Sequence, residues 1–137
     1  IVDMPPGTGD IALTLSQKVP LTGAVIVTTP QDIALLDAKK GLRMFEKVSV
    51  PILGVAENMS FLEDAEGRRQ YLFGQGGGLK VATALNTELL GEVPLDQAVR
   101  QGGDHGIPVV ISHPDCNAAR VFKSVALTVL RKLETRT

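Results

Sequence analysis

A single cysteine, Cys116, is all that the sequence offers for sulfur chemistry. One thiol cannot build an internal disulfide framework, which fits a reducing compartment, with the cytoplasm as the default. The sequence also lacks any run of about 18 apolar residues, and its first residues lack the charged-then-apolar layout of a signal peptide. A soluble protein that does not span a membrane is therefore expected. Charge of one sign is missing as well: 14 Lys and Arg stand against 15 Asp and Glu, leaving a net charge of −1. No overall field draws the chain toward nucleic acid or an anionic membrane surface.

What is present is apolar material for one core. With 137 residues, 44% of them hydrophobic and 21% charged, the chain has enough for one domain and too little for two. Four short stretches rich in β-branched residues read as strands: Ile1–Asp3, Gly23–Thr29, Pro51–Ala56 and Leu89–Val93. None alternates cleanly between apolar and polar, so strands buried on both faces are expected. Ile1-Val2-Asp3 reads as the end of such a strand, and the expectation is that sequence upstream of it is missing.

Helix-length segments lie between these stretches. The spacing of Leu35, Ala38, Leu42 and Phe45 predicts a helix over Asp32 to Val48 with its inner stripe on the sheet. Others are expected over Ile11 to Lys18, over Leu79 to Leu85 after the run Gly76-Gly77-Gly78, and from about Asp115 into the charged tail. Strands alternating with helices of this length imply βαβ crossovers and a parallel sheet. Ser60–Gly78 carries no strong periodicity and reads as a surface excursion.

The segment after the first stretch carries the chemistry. Asp3 is followed by Met4-Pro5-Pro6-Gly7-Thr8-Gly9-Asp10, which places a carboxylate where open α/β sheets bind ligands. A carboxylate there can organise Mg2+, directly or through water. Gly7 lets backbone approach a phosphate with no Cβ in the way. The same residues also suit a tight turn into a helix capped by Asp10.

The longer pattern is more specific. Asp3 to Asp10, Val27-Thr28-Thr29-Pro30-Gln31-Asp32, Glu57-Asn58-Met59-Ser60, Phe73-Gly74 with Gly76-Gly77, and Gly91-Glu92-Val93-Pro94-Leu95-Asp96 stand in one order along the chain. In that order and spacing the chain resembles the Mrp/ApbC family, P-loop ATPases similar to MinD and the nitrogenase iron protein and implicated in carrying or inserting iron–sulfur clusters. The resemblance covers essentially all of residues 1–137. It implies an α/β fold, a parallel-sheet three-layer sandwich of the MinD-like P-loop NTPase type, of which this chain is the C-terminal part without the P-loop.

By that resemblance Asp3 is the Walker B aspartate, holding Mg2+ through water, and Pro6 and Gly7 form the switch near the γ-phosphate. Asn58 matches a position that reads the adenine edge, for which an amide offers a donor and an acceptor side by side. Pro94 and Leu95 match contacts around the base. Taken from the residues alone, Asn58 could equally cap a turn and Pro94 could end a strand. Val27–Asp32 corresponds to a region near a nucleotide-dependent dimer face, with Asp32 as a first-turn acid. ATP, Mg2+, a homodimer and apo acceptor proteins for iron–sulfur clusters are thus the implied cofactors and partners.

The chain departs from the family in two places. Cluster carriers of this type place a Cys-x-x-Cys between the Asn-Met-Ser and Phe-Gly segments, and residues 61–72 here hold no cysteine. Glu63, Asp64 and Glu66 in that interval are hard donors poorly matched to a cluster. Cys116 reads as an ordinary small residue near a helix start, and His105 and His113 as isolated loop residues. The Gly-Lys loop that cradles phosphates and the acid that positions attacking water are also absent, so these residues alone are not expected to hydrolyse ATP. Two other functions remain open at this point. One is a positioning ATPase of the MinD/ParA kind, for which the basic Val121–Thr137 segment could meet a membrane or DNA. The other is a nucleotide-binding regulatory scaffold.

Overall fold

The structure, a computed structural model, describes residues 1–136; Thr137 lies outside the described residues. In chain order the elements are α1 (Asp10–Lys18), β1 (Ala24–Thr28), α2 (Ala34–Lys47), β2 (Ile52–Glu57), β3 (Leu62–Glu63), β4 (Arg69–Gln70), α3 (Gly77–Ala84), β5 (Leu89–Glu92), α4 (Gln97–His105), α5 (Val109–Ser112) and α6 (Asn117–Glu134). β1, β2 and β5 form a parallel sheet in that order. The crossovers through α2 and α3 advance in one direction, so right-handed connections put both helices on the same face.

Packing follows the apolar spacing. Ala38, Met44 and Phe45 of α2 join Val81, Ala82 and Leu85 in one buried cluster with Ile26 and Val55 of the sheet. Val55 is completely buried, as the central position of the middle strand requires. Outside this cluster α6 packs on β5, where Val121 and Val125 lie against Gly91 so closely that a side chain there would collide with them. The result is the expected parallel sheet flanked by helices.

Several expectations change in detail. Ile1–Asp3 is not a strand: all three residues are exposed and none is paired to a neighbour. Extended backbone persists in a parallel sheet when a neighbouring strand takes its N–H and C=O groups, and these residues have none among the described residues. Burial on both faces also fails for β1, an edge strand, where Val27 is 67% exposed. Asp10 does not cap α1; Gly9 occupies the cap, and Asp10 is the first helical residue. Asp32 lies in the turn ahead of α2, and its carboxylate meets Lys80 Nζ at 3.5 Å.

The Ser60–Gly78 excursion contains a small antiparallel hairpin, β3–β4. Two further helices, α4 and α5, lie in the Gly- and Pro-rich stretch. His105 is therefore the last residue of α4, its Nδ1 2.8 Å from the Gln101 carbonyl, rather than a loop residue.

Candidate functional site

The carboxyl ends of β1, β2 and β5 meet in a network of backbone hydrogen bonds. Asn58 donates its N–H to the Thr28 carbonyl at 2.7 Å, tying the exit of β2 to the end of β1. Val93 N–H bonds to the Glu57 carbonyl at 2.7 Å, Ser60 N–H to the Val93 carbonyl at 3.0 Å, and Leu95 N–H to the Phe61 carbonyl at 2.7 Å. Asn58 and the pair Pro94-Leu95 thus sit on two strand exits laced into one ladder, which the bridge between Leu62 and Leu95 extends. Three of the six residues that the sequence marked for nucleotide are brought together at this edge.

The Asn58 side chain is exposed, and its Oδ1 accepts the Met59 N–H at 2.9 Å. That bond belongs to a turn, since Met59 has φ of 53°. The Nδ2 group has no partner among the described residues and is left to donate outward. Pro94 is buried and Leu95 half-buried at the neighbouring strand exit. An amide donor and a part-exposed apolar side chain on adjoining strand exits suit the polar edge and flat face of a heterocyclic base.

Asp3, Pro6 and Gly7 form a second group. All three are exposed, and Gly7 has φ of 85° with open space where a Cβ would lie. Thr8 of the same loop lines a small cavity on the flank of α2 with Leu13, Arg43 and Met44. No hydrogen bond among the described residues links this loop to Asn58, Pro94 or Leu95. A lone exposed carboxylate suits Mg2+ held mainly by water and phosphate oxygens, and not a cage of protein ligands. No group of three or more His, Cys, Asp or Glu among the described residues could hold a metal by itself.

The interval that resembles a cysteine-bearing segment is occupied by the β3–β4 hairpin, closed by charge pairs. Asp64 accepts from Arg68 Nε at 2.7 Å and from the N–H groups of Arg68 and Glu66 at 2.9 and 3.0 Å, while Arg69 Nε donates to Glu63 at 3.0 Å. The Arg68 N–H, then its guanidinium, holds the Asp64 carboxyl below its usual range, and Glu63 pushes the Arg69 guanidinium up. Asp64 and Glu63 are therefore engaged with arginines. This donor set does not fit an iron–sulfur cluster, which wants thiolates. Cys116 is far from this role: its sulfur accepts the Ala119 N–H at 3.4 Å as cap of α6.

One buried acid at this edge escaped the set of candidate site residues. Glu57 ends β2 only 2% exposed, with its carboxylate Oε2 bonded to the N–H of Gly78 in the first turn of α3. The signal available was an acid at the end of an apolar run facing a triple glycine across 21 residues. A separate cavity of about 740 Å³ between α4, α5 and α6 is lined mainly by apolar side chains, Val99, Val109, Val110, Phe122 and Ala126, with Lys123 the charged residue among its lining.

Comparison with known proteins gives these features a setting. The family model described as NUBPL iron-transfer P-loop NTPase matches residues 1–130. The iron-sulfur cluster carrier protein of Escherichia coli K12 is 52% identical over 134 residues, covering 97% of this chain and 36% of that protein. The iron-sulfur cluster transfer protein NUBPL of Mus musculus is 47% identical over 136 residues, covering 98% of this chain and 43% of that protein. Among solved structures, a nucleotide-binding protein from Archaeoglobus fulgidus in complex with ADP superposes with TM-score 0.71 at 34% identity, over 84% of this chain and 46% of that one. The cell division ATPase MinD of Pyrococcus furiosus gives TM-score 0.72 at 25% identity, over 94% and 50%. The chain spans less than half the length of these curated relatives.

Proposed function

Since the chain belongs to the NUBPL iron-transfer P-loop NTPase family, we propose that it is the C-terminal part of an ATP-binding and ATP-hydrolysing domain acting in iron–sulfur cluster assembly or transfer. Its curated relatives are iron-sulfur cluster carrier and transfer proteins. The observation that carries the nucleotide half of this reading is the ladder that sets Asn58 beside Pro94 and Leu95 at the carboxyl edge of a parallel sheet, where such folds bind ligands. Asn58 takes the polar edge of adenine through Nδ2, and Leu95, set in place by the buried Pro94, takes its face. Asp3 orients a water of the Mg2+ shell, and Gly7, with its approach set by Pro6, follows the γ-phosphate through its backbone N–H.

The protein acts as a homodimer in the cytoplasm, and its clients are apo acceptors of iron–sulfur clusters. The cluster is cargo, and its thiolate ligands come from outside residues 61–72, because that interval holds no cysteine. Relatives near 50% identity favour cluster handling over a MinD-like positioning role, for which the likeness is 25%. The C-terminal helix agrees, since Val121 and Val125 are spent on β5, although Leu127 and Leu130 are exposed.

Anaerobic reconstitution of the full-length protein, with iron and sulfide counted per dimer and transfer to an apo acceptor followed, tests the proposal. Bound cluster that moves to the acceptor is the expected result. No cluster and no transfer would overturn the carrier role, and ATP-dependent co-sedimentation with liposomes or DNA would replace it with positioning.

A further inference from the structure

Glu57 is a buried acid with no ion-pair partner among the described residues. Placing a carboxylate in the interior is costly unless donors surround it. Here the donor is the first turn of α3, whose unsatisfied N–H groups and positive dipole end face the carboxylate. Two glycines make the approach possible. A Cβ on Gly78 would lie 2.7 Å from Glu57 Oε2, and one on Gly77 would run into the Pro30 carbonyl. The start of α3 is therefore wedged between the exits of β1 and β2.

The backbone of Glu57 works in the same place. Its carbonyl accepts from Val93 N–H at 2.7 Å and from Ser60 Oγ at 3.2 Å. One residue thus fixes, through its side chain, the return of the 58–76 excursion, and through its backbone, the segment leading to Pro94 and Leu95. Asn58 is the next residue along the chain. We infer that Glu57 is a positioning residue for base recognition: its carboxylate, locked to Gly78, holds Asn58 and the Val93–Leu95 segment at the separation that selects adenine over guanine. This inference rests on the proposed reading of Asn58 as the base-edge donor.

The test is the ratio of ATP to GTP affinity, measured by calorimetry on the full-length protein and on Glu57→Gln, which keeps the shape and removes the charge. ATP affinity is expected to fall about tenfold, the scale of one misplaced hydrogen bond, with GTP affinity unchanged. A purely structural role would weaken both nucleotides by the same factor and leave the ratio intact, which would overturn the inference. Should Glu57→Gln fail to fold, Glu57→Asp, which withdraws the charge by one methylene, is read by the same ratio. Asn58→Ala separates the layers: a ratio lost there but kept in the Glu57 variants overturns the role of Glu57 alone. A ratio unchanged in Asn58→Ala overturns the base-reading assignment and this inference with it.

Discussion

The guanidinium of Arg69 lies 4.0 Å from the centre of the Phe61 ring, and Tyr71 meets the same ring edge-on at 6.1 Å. Phe61 is 2% exposed although the hairpin around it is largely open to solvent. The ring is the hairpin's anchor, and its carbonyl also takes the Leu95 N–H. Phe61→Ala should therefore cost about 3–5 kcal/mol, the usual range for a deleted buried aromatic. Urea denaturation would measure it, and limited proteolysis should cut first within residues 62–72.

Gly77→Ala should destabilise by about 1–3 kcal/mol, because the new methyl meets the Pro30 carbonyl, a backbone atom that cannot swing aside. Gly103→Ala, where a Cβ meets nothing within 4 Å in the interior of a helix, should be neutral or slightly stabilising. Thermal melts of the two variants side by side would show the contrast.

The hairpin turn should resist acid further than an ordinary aspartate allows. Asp64 is depressed below 3.8 by the Arg68 N–H and guanidinium. A depressed folded value means that the contribution is complete above the unfolded value and is lost as pH falls through the folded one. Amide shifts of Gly67 and Arg68 should stay unchanged from neutral pH down to the ordinary carboxylate range and move only below it. Movement at higher pH would contradict the assignment.

Asp3→Ala in the full-length protein should abolish the gain in ATP affinity that Mg2+ provides, while binding measured in chelator stays as in the parent. A loss about equal in both conditions would mean that Asp3 acts through folding. Calorimetry with Mg2+ and with chelator decides between them.

Legibility in the sequence divided along physical lines. The helices α2 and α6 were readable because each carries its own period, as with Leu35, Ala38, Leu42 and Phe45, and the strands β1, β2 and β5 because each is a short apolar run rich in β-branched residues. The lacing of Val93 to Glu57 was not, since backbone hydrogen bonds between distant segments leave no mark on residue type. Ile1–Asp3 has strand-like residues yet no strand, because extended backbone depends on a neighbour. The hairpin was missed for the opposite reason. Its two-residue strands are too short for any period, and ion pairs such as Glu63 with Arg69 close it. Glu57 shows the deepest limit: only the fold reveals that its carboxylate is buried against a helix 21 residues away.

Among the described residues β1 is laddered along one side only, by β2, and Val27 stands in water on that edge strand. A flank of this sort is a template for addition of any extended chain. Residues 1–137 produced by themselves should consequently be a poor stock for concentrated work. Light scattering should rise with protein concentration, and a lysine at position 27, a substitution that natural edge strands use as a guard, should hold it down.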